Sequence, residues 1–237
     1  MSLLLTLKKI MQIKKIIIPL MLLMLTACNM ESKTLVFALD YSKSTGINEI
    51  SRMKDLLSVA KQGDKVIIFP IHGRTASAVP IADKTIPPCE DINCEREKSK
   101  MLNDIVNTID DSYKSRSINS HVKSSTSILP IFSKTRMLGN NENISLFIIS
   151  DMIEENTNLD FVESFPGLRN DDIVELAKSQ LDQWKYEIDL EGQSVSVLIP
   201  GTLSGSIYDD SFHRKVILFW ETFIGAAGGQ MKVRYLS

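Results

Sequence analysis

The sequence predicts an α/β fold in which a doubly wound, mostly parallel sheet carries helices on both faces and one short antiparallel strand at its edge. Three observations predict it. Leu35 to Leu39, Val66 to Ile71 and Ile144 to Ile149 are continuous apolar runs, as strands buried on both faces require. The stretches between them repeat apolar residues at helical spacing. Strand and helix alternate almost to the end, so right-handed crossovers make neighbouring strands parallel. The 237 residues, 43% hydrophobic and 24% charged, suffice for one domain with a sizeable core.

The elements follow in order. After the strand at Leu35 to Leu39, Ile47, Ile50, Met53, Leu57 and Ala60 mark a helix that Gly63 and Asp64 end. Val66 to Ile71 is the second strand. Gly73 turns the chain, and Ala76 to Ala82 returns as the short edge strand, where Pro80 suits an edge better than a centre. Glu95 to Ile109 and Thr126 to Met137 read as helices on either side of a Ser-rich loop. Ile144 to Ile149 is the third long apolar strand. Phe161, Phe165 and Leu168 lie in a long loop, either as a rim for a partner or packed beneath it. Asp171 to Trp184 is a capped amphipathic helix, Ser194 to Ile199 a strand, Asp209 to Ala227 a helix stopped by Gly228 and Gly229, and Met231 to Tyr235 the last strand.

The N-terminal segment stands apart. Lys8, Lys9, Lys14 and Lys15 precede an apolar run, Ile16 to Ala27, which is short for a bilayer span but suits a signal-peptide core. It ends in "LTAC", which resembles the lipobox of bacterial lipoproteins. The resemblance implies a signal peptide over 1–27, acylation of the Cys28 thiol, a spacer over 28–33, and a place in the cell envelope, lipid-anchored to a membrane. Met11 offers a second start for the same signal. Removing 1–27 takes away four lysines and no acid and moves the formal charge from −2 to −6. Such a surface, without a basic stripe, argues against nucleic-acid binding. Cys89 and Cys94, in "CEDINC", form an even pair in an exported chain and read as a disulfide closing a small loop.

In doubly wound sheets ligands bind beyond the carboxyl ends of the strands. Asp40 and Asp151 each end an apolar strand there. The stretch "LVFALDYSKSTG" places Ser42 and Ser44 at alternate positions after Asp40, and Thr126 opens the helix in "SSTSILPIF". Asp40-x-Ser42-x-Ser44, then Thr126, then Asp151 resembles, in order, the metal-ion-dependent adhesion site of von Willebrand factor type A domains, over roughly 34–237. The resemblance implies the same Rossmann-like sheet with a short antiparallel edge strand. It also implies a bound Mg²⁺, or Mn²⁺ or Ca²⁺, with hydroxyls of Ser42, Ser44 and Thr126 as neutral ligands and Asp40 and Asp151 holding metal-bound waters. Mg²⁺ favours six hard oxygens and keeps part of its water. Neutral ligands leave the ion electrophilic, so the carboxylate of a partner protein completes the shell. Two departures stand out: Ser124 and Ser125 beside Thr126, and Met152 after Asp151, occupy places where the family often has Gly.

Enzymatic readings fit less well. Ser42 stands where a haloacid-dehalogenase-like phosphohydrolase needs its second acid. "GTLSGS" at 201–206 is not a nucleophile elbow, and "GAAGGQ" at 225–230 ends a helix instead of cradling phosphate. The expectation is therefore no enzyme but a membrane-anchored binding module for a protein ligand. The alternative is a structural envelope subunit that keeps the fold without using the metal. Glu154 and Glu155 are expected to face water.

Overall fold

A computed structural model of the chain describes residues 32–41, 48–88, 92–118, 125–139, 143–200 and 209–236. The segment over 1–27 read as a signal peptide, Cys28, Ser42, Ser44 and Cys89 therefore lie outside the described residues. In order, the elements are β1 (Thr34–Asp40), α1 (Asn48–Leu57), β2 (Lys65–Ile71), β3 (Ala82–Thr85), α2 (Cys94–Ile118), α3 (Leu129–Arg136), β4 (Ile144–Ile149), α4 (Phe161–Ser164), α5 (Asn170–Trp184), β5 (Ser194–Pro200), α6 (Asp210–Ala226) and β6 (Gln230–Leu236).

The six strands form one sheet in the order β3-β2-β1-β4-β5-β6. All neighbours run parallel except β3, which pairs antiparallel with β2 at the edge. The α/β fold class is thus the one the apolar runs predict. Within β1 the two faces separate cleanly. Val36 and Ala38 point into the layer that includes α3, α5 and α6, while Leu35, Phe37 and Leu39 point into the layer of α1 and α2. A strand covered on both sides has no polar face, which is why its sequence reads as unbroken hydrophobicity.

Several boundaries differ from expectation; α1, for one, ends at Leu57 and not at Ala60. The edge strand starts at Ala82, not Ala76. Thr75 is captured by a 3₁₀ turn, in which its Oγ1 donates to the His72 carbonyl at 2.6 Å and accepts from the His72 N–H at 2.8 Å. Pro80 cannot donate to a ladder, so pairing begins when the Ile81 N–H reaches the Ile68 carbonyl at 2.8 Å. Helix α2 runs on to Ile118, nine residues past Ile109. Helix α3 begins at Leu129, not Thr126. An α-helix starting at Thr126 would need an N–H from residue 130 to bond the Thr126 carbonyl, and Pro130 has none. The Glu155 N–H takes that carbonyl instead, at 2.9 Å.

The stop at Gly228 holds. Gly228 adopts φ 88°, and the Gly229 N–H closes back on the Ile224 carbonyl at 2.9 Å. A side chain at 228 would be strained there and would press on the Glu191 backbone, its Cβ lying 3.0 Å from Cα.

Candidate functional site

The site residues that the structure describes come from β1, the segment before α3 and the end of β4. Strands β1 and β4 are adjacent and parallel, with Leu39 opposite Ile149. Asp40 and Asp151 therefore leave the sheet at the same rim, on neighbouring central strands. Both are buried, and so is Thr126. Ser150, also buried, joins them: its Oγ donates to Asp40 Oδ2 at 2.7 Å and accepts from the Met152 N–H at 2.9 Å. Asp151 Oδ1 accepts from the Ile153 N–H at 3.1 Å, which folds the loop back over its own carboxylate.

Thr126 is brought to this rim from two sides. Its carbonyl is held by Glu155, four residues after Asp151. Its neighbour Ser125 lies against Gly73, just past the carboxyl end of β2. A Cβ on Gly73 would fall 1.9 Å from Ser125 Oγ and 3.2 Å from its Cβ, so a side chain at 73 forces that hydroxyl to turn away.

Met152 occupies the place where the resemblance implies glycine, and it adopts φ 63°. The left-handed conformation costs a residue with a side chain about 1–2 kcal/mol. Two contacts offset it. The methionine side chain is fully buried in the aromatic layer, and its carbonyl accepts from Trp220 Nε1 at 2.8 Å. The left-handed backbone at 152 is thus kept by a side chain anchored in the core.

Glu154 corrects the sequence reading most sharply. It is wholly buried instead of facing water. Its Oε2 accepts from the N–H groups of Ile128 at 2.7 Å and Leu129 at 3.3 Å, the open amino end of α3. No side chain of α3's own N-cap does this, so a carboxylate from another loop satisfies the helix end. Oε1 accepts from Asn156 Nδ2, which also lies 3.4 Å from Ser127 Oγ. Burial pushes the Glu154 carboxyl up to about 7, against the opposing pull of these hydrogen bonds. Glu155 is also raised, by desolvation first and then by the charges of Asp160 and Asp151. Neither Ser150 nor Glu154 is marked by spacing; the only sequence signal is polarity adjoining the end of an apolar strand.

Phe161 and Phe165 are core, not rim. They are fully buried and stacked with ring centroids 4.1 Å apart. Cys94 is a disulfide cysteine; because Cys89 lies outside the described residues, its pairing with Cys89 rests on their spacing. Ser42 and Ser44 likewise keep their assignment from sequence alone.

Among the described residues the rim brings together the buried carboxylates of Asp40 and Asp151 and the buried hydroxyl-bearing residues Thr126 and Ser150, a hard-oxygen chemistry that fits a hard divalent ion. Among the described residues no group of three or more His, Cys, Asp or Glu side chains is placed to hold a metal. The candidate ligand set has only two carboxylates, Asp40 and Asp151, and its remaining donors are hydroxyls. No protein-family model and no curated protein matches the chain.

Proposed function

We propose that the chain is a membrane-anchored, exported binding module of the von Willebrand factor type A kind, which recognises a protein ligand through a divalent ion, Mg²⁺ by preference. The observation that carries this reading is the Ser150–Asp40 hydrogen bond at 2.7 Å, because it ties the carboxylate at the end of β1 to the residue beside Asp151. The strand order with β3 antiparallel at the edge, the left-handed Met152 and the burial of Thr126 support it.

Ser42, Ser44 and Thr126 would supply hydroxyl oxygens, with Asp40 and Asp151 accepting hydrogen bonds from the ion's water. When bound, the ion supplies an electrophilic point for a carboxylate of the partner. The protein's own work is positional. Ser150 fixes one oxygen of Asp40, Glu155 and Gly73 fix the Thr126 segment, and Trp220 fixes the turn after Asp151.

The test is thermal melting of the full chain in detergent across a Mg²⁺ or Mn²⁺ series. Binding to the folded state alone raises the midpoint with concentration, by about 2.7 kcal/mol at a hundred times Kd. Asp40→Ala should abolish that dependence. A wild-type midpoint that ignores the ion sinks the metal reading and leaves a structural envelope subunit. Lipidation is tested separately, since Cys28→Ser should leave uncleaved or soluble protein.

A further inference from the structure

We propose that the outer edge of β6 receives an extended, acidic segment of a partner protein, which adds a seventh strand to the six-stranded sheet. This edge lies two strands beyond β4, and its use does not depend on a bound ion.

The two edges of the sheet differ. β3 has four residues, and Pro80 and Pro87 flank it. β6 has seven, without a proline, and among the described residues no strand lies beyond it. Pairing with β5 sets the direction of its backbone groups. The Gln230 N–H donates to the Gln193 carbonyl at 3.0 Å, so in a parallel ladder Gln230, Lys232 and Arg234 turn their N–H and C=O groups toward β5. Those of Met231, Val233 and Tyr235 point outward, a ready row for another strand. Tyr235 is 69% exposed at the end of that row. An edge so long is a liability unless something restricts what pairs with it.

The side chains supply the restriction. Lys232 and Arg234 are exposed on one face of β6 and form no ion pair among the described residues. Their partners in register on β5 are Ser196 and Leu198, with Ser194 opposite Gln230. Met231 and Val233 pack on the other face, against the core beneath α6. Asp189 and Glu191, in the turn before β5, lie ahead of the strand, with Glu191 beside Gly228, four residues short of Lys232. A second copy of the chain would pair antiparallel about a two-fold axis. Centred on Lys232, Val233 or Arg234, the registers of greatest overlap, such a pair sets cation directly opposite cation, which is destabilising. A strand with Asp or Glu at alternate positions meets the same two cations with opposite charge, and each such cross-strand pair is stabilising. The two cations thus reject a second copy and favour an acidic strand.

The experiment uses the full chain in detergent and two fluorescein-labelled peptides of about nine residues, one alternating Glu with Thr and Val, the other carrying Lys in place of Glu. Binding is read by anisotropy and by amide hydrogen exchange. The Glu peptide should bind and the Lys peptide should not. Saturating Glu peptide should slow exchange at Met231, Val233 and Tyr235 and leave Lys232 and Arg234, already bonded to β5, unchanged. The double variant Lys232→Glu, Arg234→Glu alters exposed side chains only and should invert the preference by about tenfold or more, as two opposite-charge pairs become like-charge ones. Binding of neither peptide, equal binding of both, or a preference untouched by the double reversal overturns the acidic-strand reading. Slow exchange at the same three amides without peptide, strengthening with protein concentration, gives the edge to a second copy and also overturns it.

Discussion

The helices α3, α4 and α6 cover their face of the sheet with aromatic rings, whereas α1 and α2 cover the other face mostly with aliphatic side chains, its stacked Phe37–Phe147 pair at 4.8 Å coming from the strands. On the first side Phe132, Phe161, Phe165, Phe219, Trp220 and Phe223 form a continuous chain of ring contacts, such as Phe161 to Phe219 at 4.8 Å. On the second, Met53, Leu57, Ile105 and Ile109 pack on Phe37 and Leu39. The aromatic side extends into the candidate rim: Trp220 bonds the Met152 carbonyl, and Glu154 sits inside the same wall. The aliphatic side meets the rim through the tilted Tyr41–Tyr113 pair at 5.6 Å. The Asp151 half of the rim is therefore part of the core. The Asp40 half is hung from the sheet and braced by Ser150.

The contrast can be broken experimentally, starting with the largest effect. Phe161→Ala should cost about 3–5 kcal/mol in a denaturant melt, because a fully buried ring with several aromatic partners leaves a cavity. Tyr113→Ala, which removes the corresponding contact on the other side, should cost about 0.5–1.5 kcal/mol for the ring pair plus its small buried area. Equal losses would erase the distinction between the halves.

Glu154 sharpens it through pH. Its carboxyl titrates at about 7 in the folded chain and near the ordinary 4.5 when unfolded. Between those values the folded state binds more protons, so stability falls as pH rises through the window, by at most about 1.4 kcal/mol per pH unit. The contribution is fully present below the unfolded value and gone above about 7. Glu154→Gln should flatten that slope in melts recorded from about pH 4.5 to 8, and an unchanged slope would assign it elsewhere. The smallest effect belongs to Gly73→Ala. Ser125 Oγ can turn away from the new methyl, so the stability loss should be near the low end of overpacking, about 1 kcal/mol. The displaced Thr126 segment should nonetheless weaken any Mg²⁺-dependent rise in melting midpoint, and adding Ser125→Ala should restore it.

How legible the molecule is in its sequence follows the same division. The unbroken runs at β1, β2 and β4 announce two-sided burial, and they place Asp40 and Asp151 at one rim. The edge strand starts later than its pattern suggests because Thr75 commits its hydroxyl to a local turn before pairing can begin. The start of α3 is displaced because the proline four residues after Thr126, tolerable in a first turn, removes the bond that a helix from Thr126 would need. Glu154 is invisible because its partners are backbone N–H groups 25 and 26 residues earlier in the chain. No side-chain pattern records such a partner. The aromatic residues of α4 resemble a possible rim because four helical residues are too few to show a period.

Pro130 has one further mechanical result. By withholding its own N–H, it leaves the Thr126 carbonyl to the Glu155 N–H, while Glu154 accepts from the amides of Ile128 and Leu129. Helix and loop are thereby spliced by three bonds within a handful of atoms. A displacement of the α3 start would therefore have to break these bonds or carry the loop after Asp151 with it.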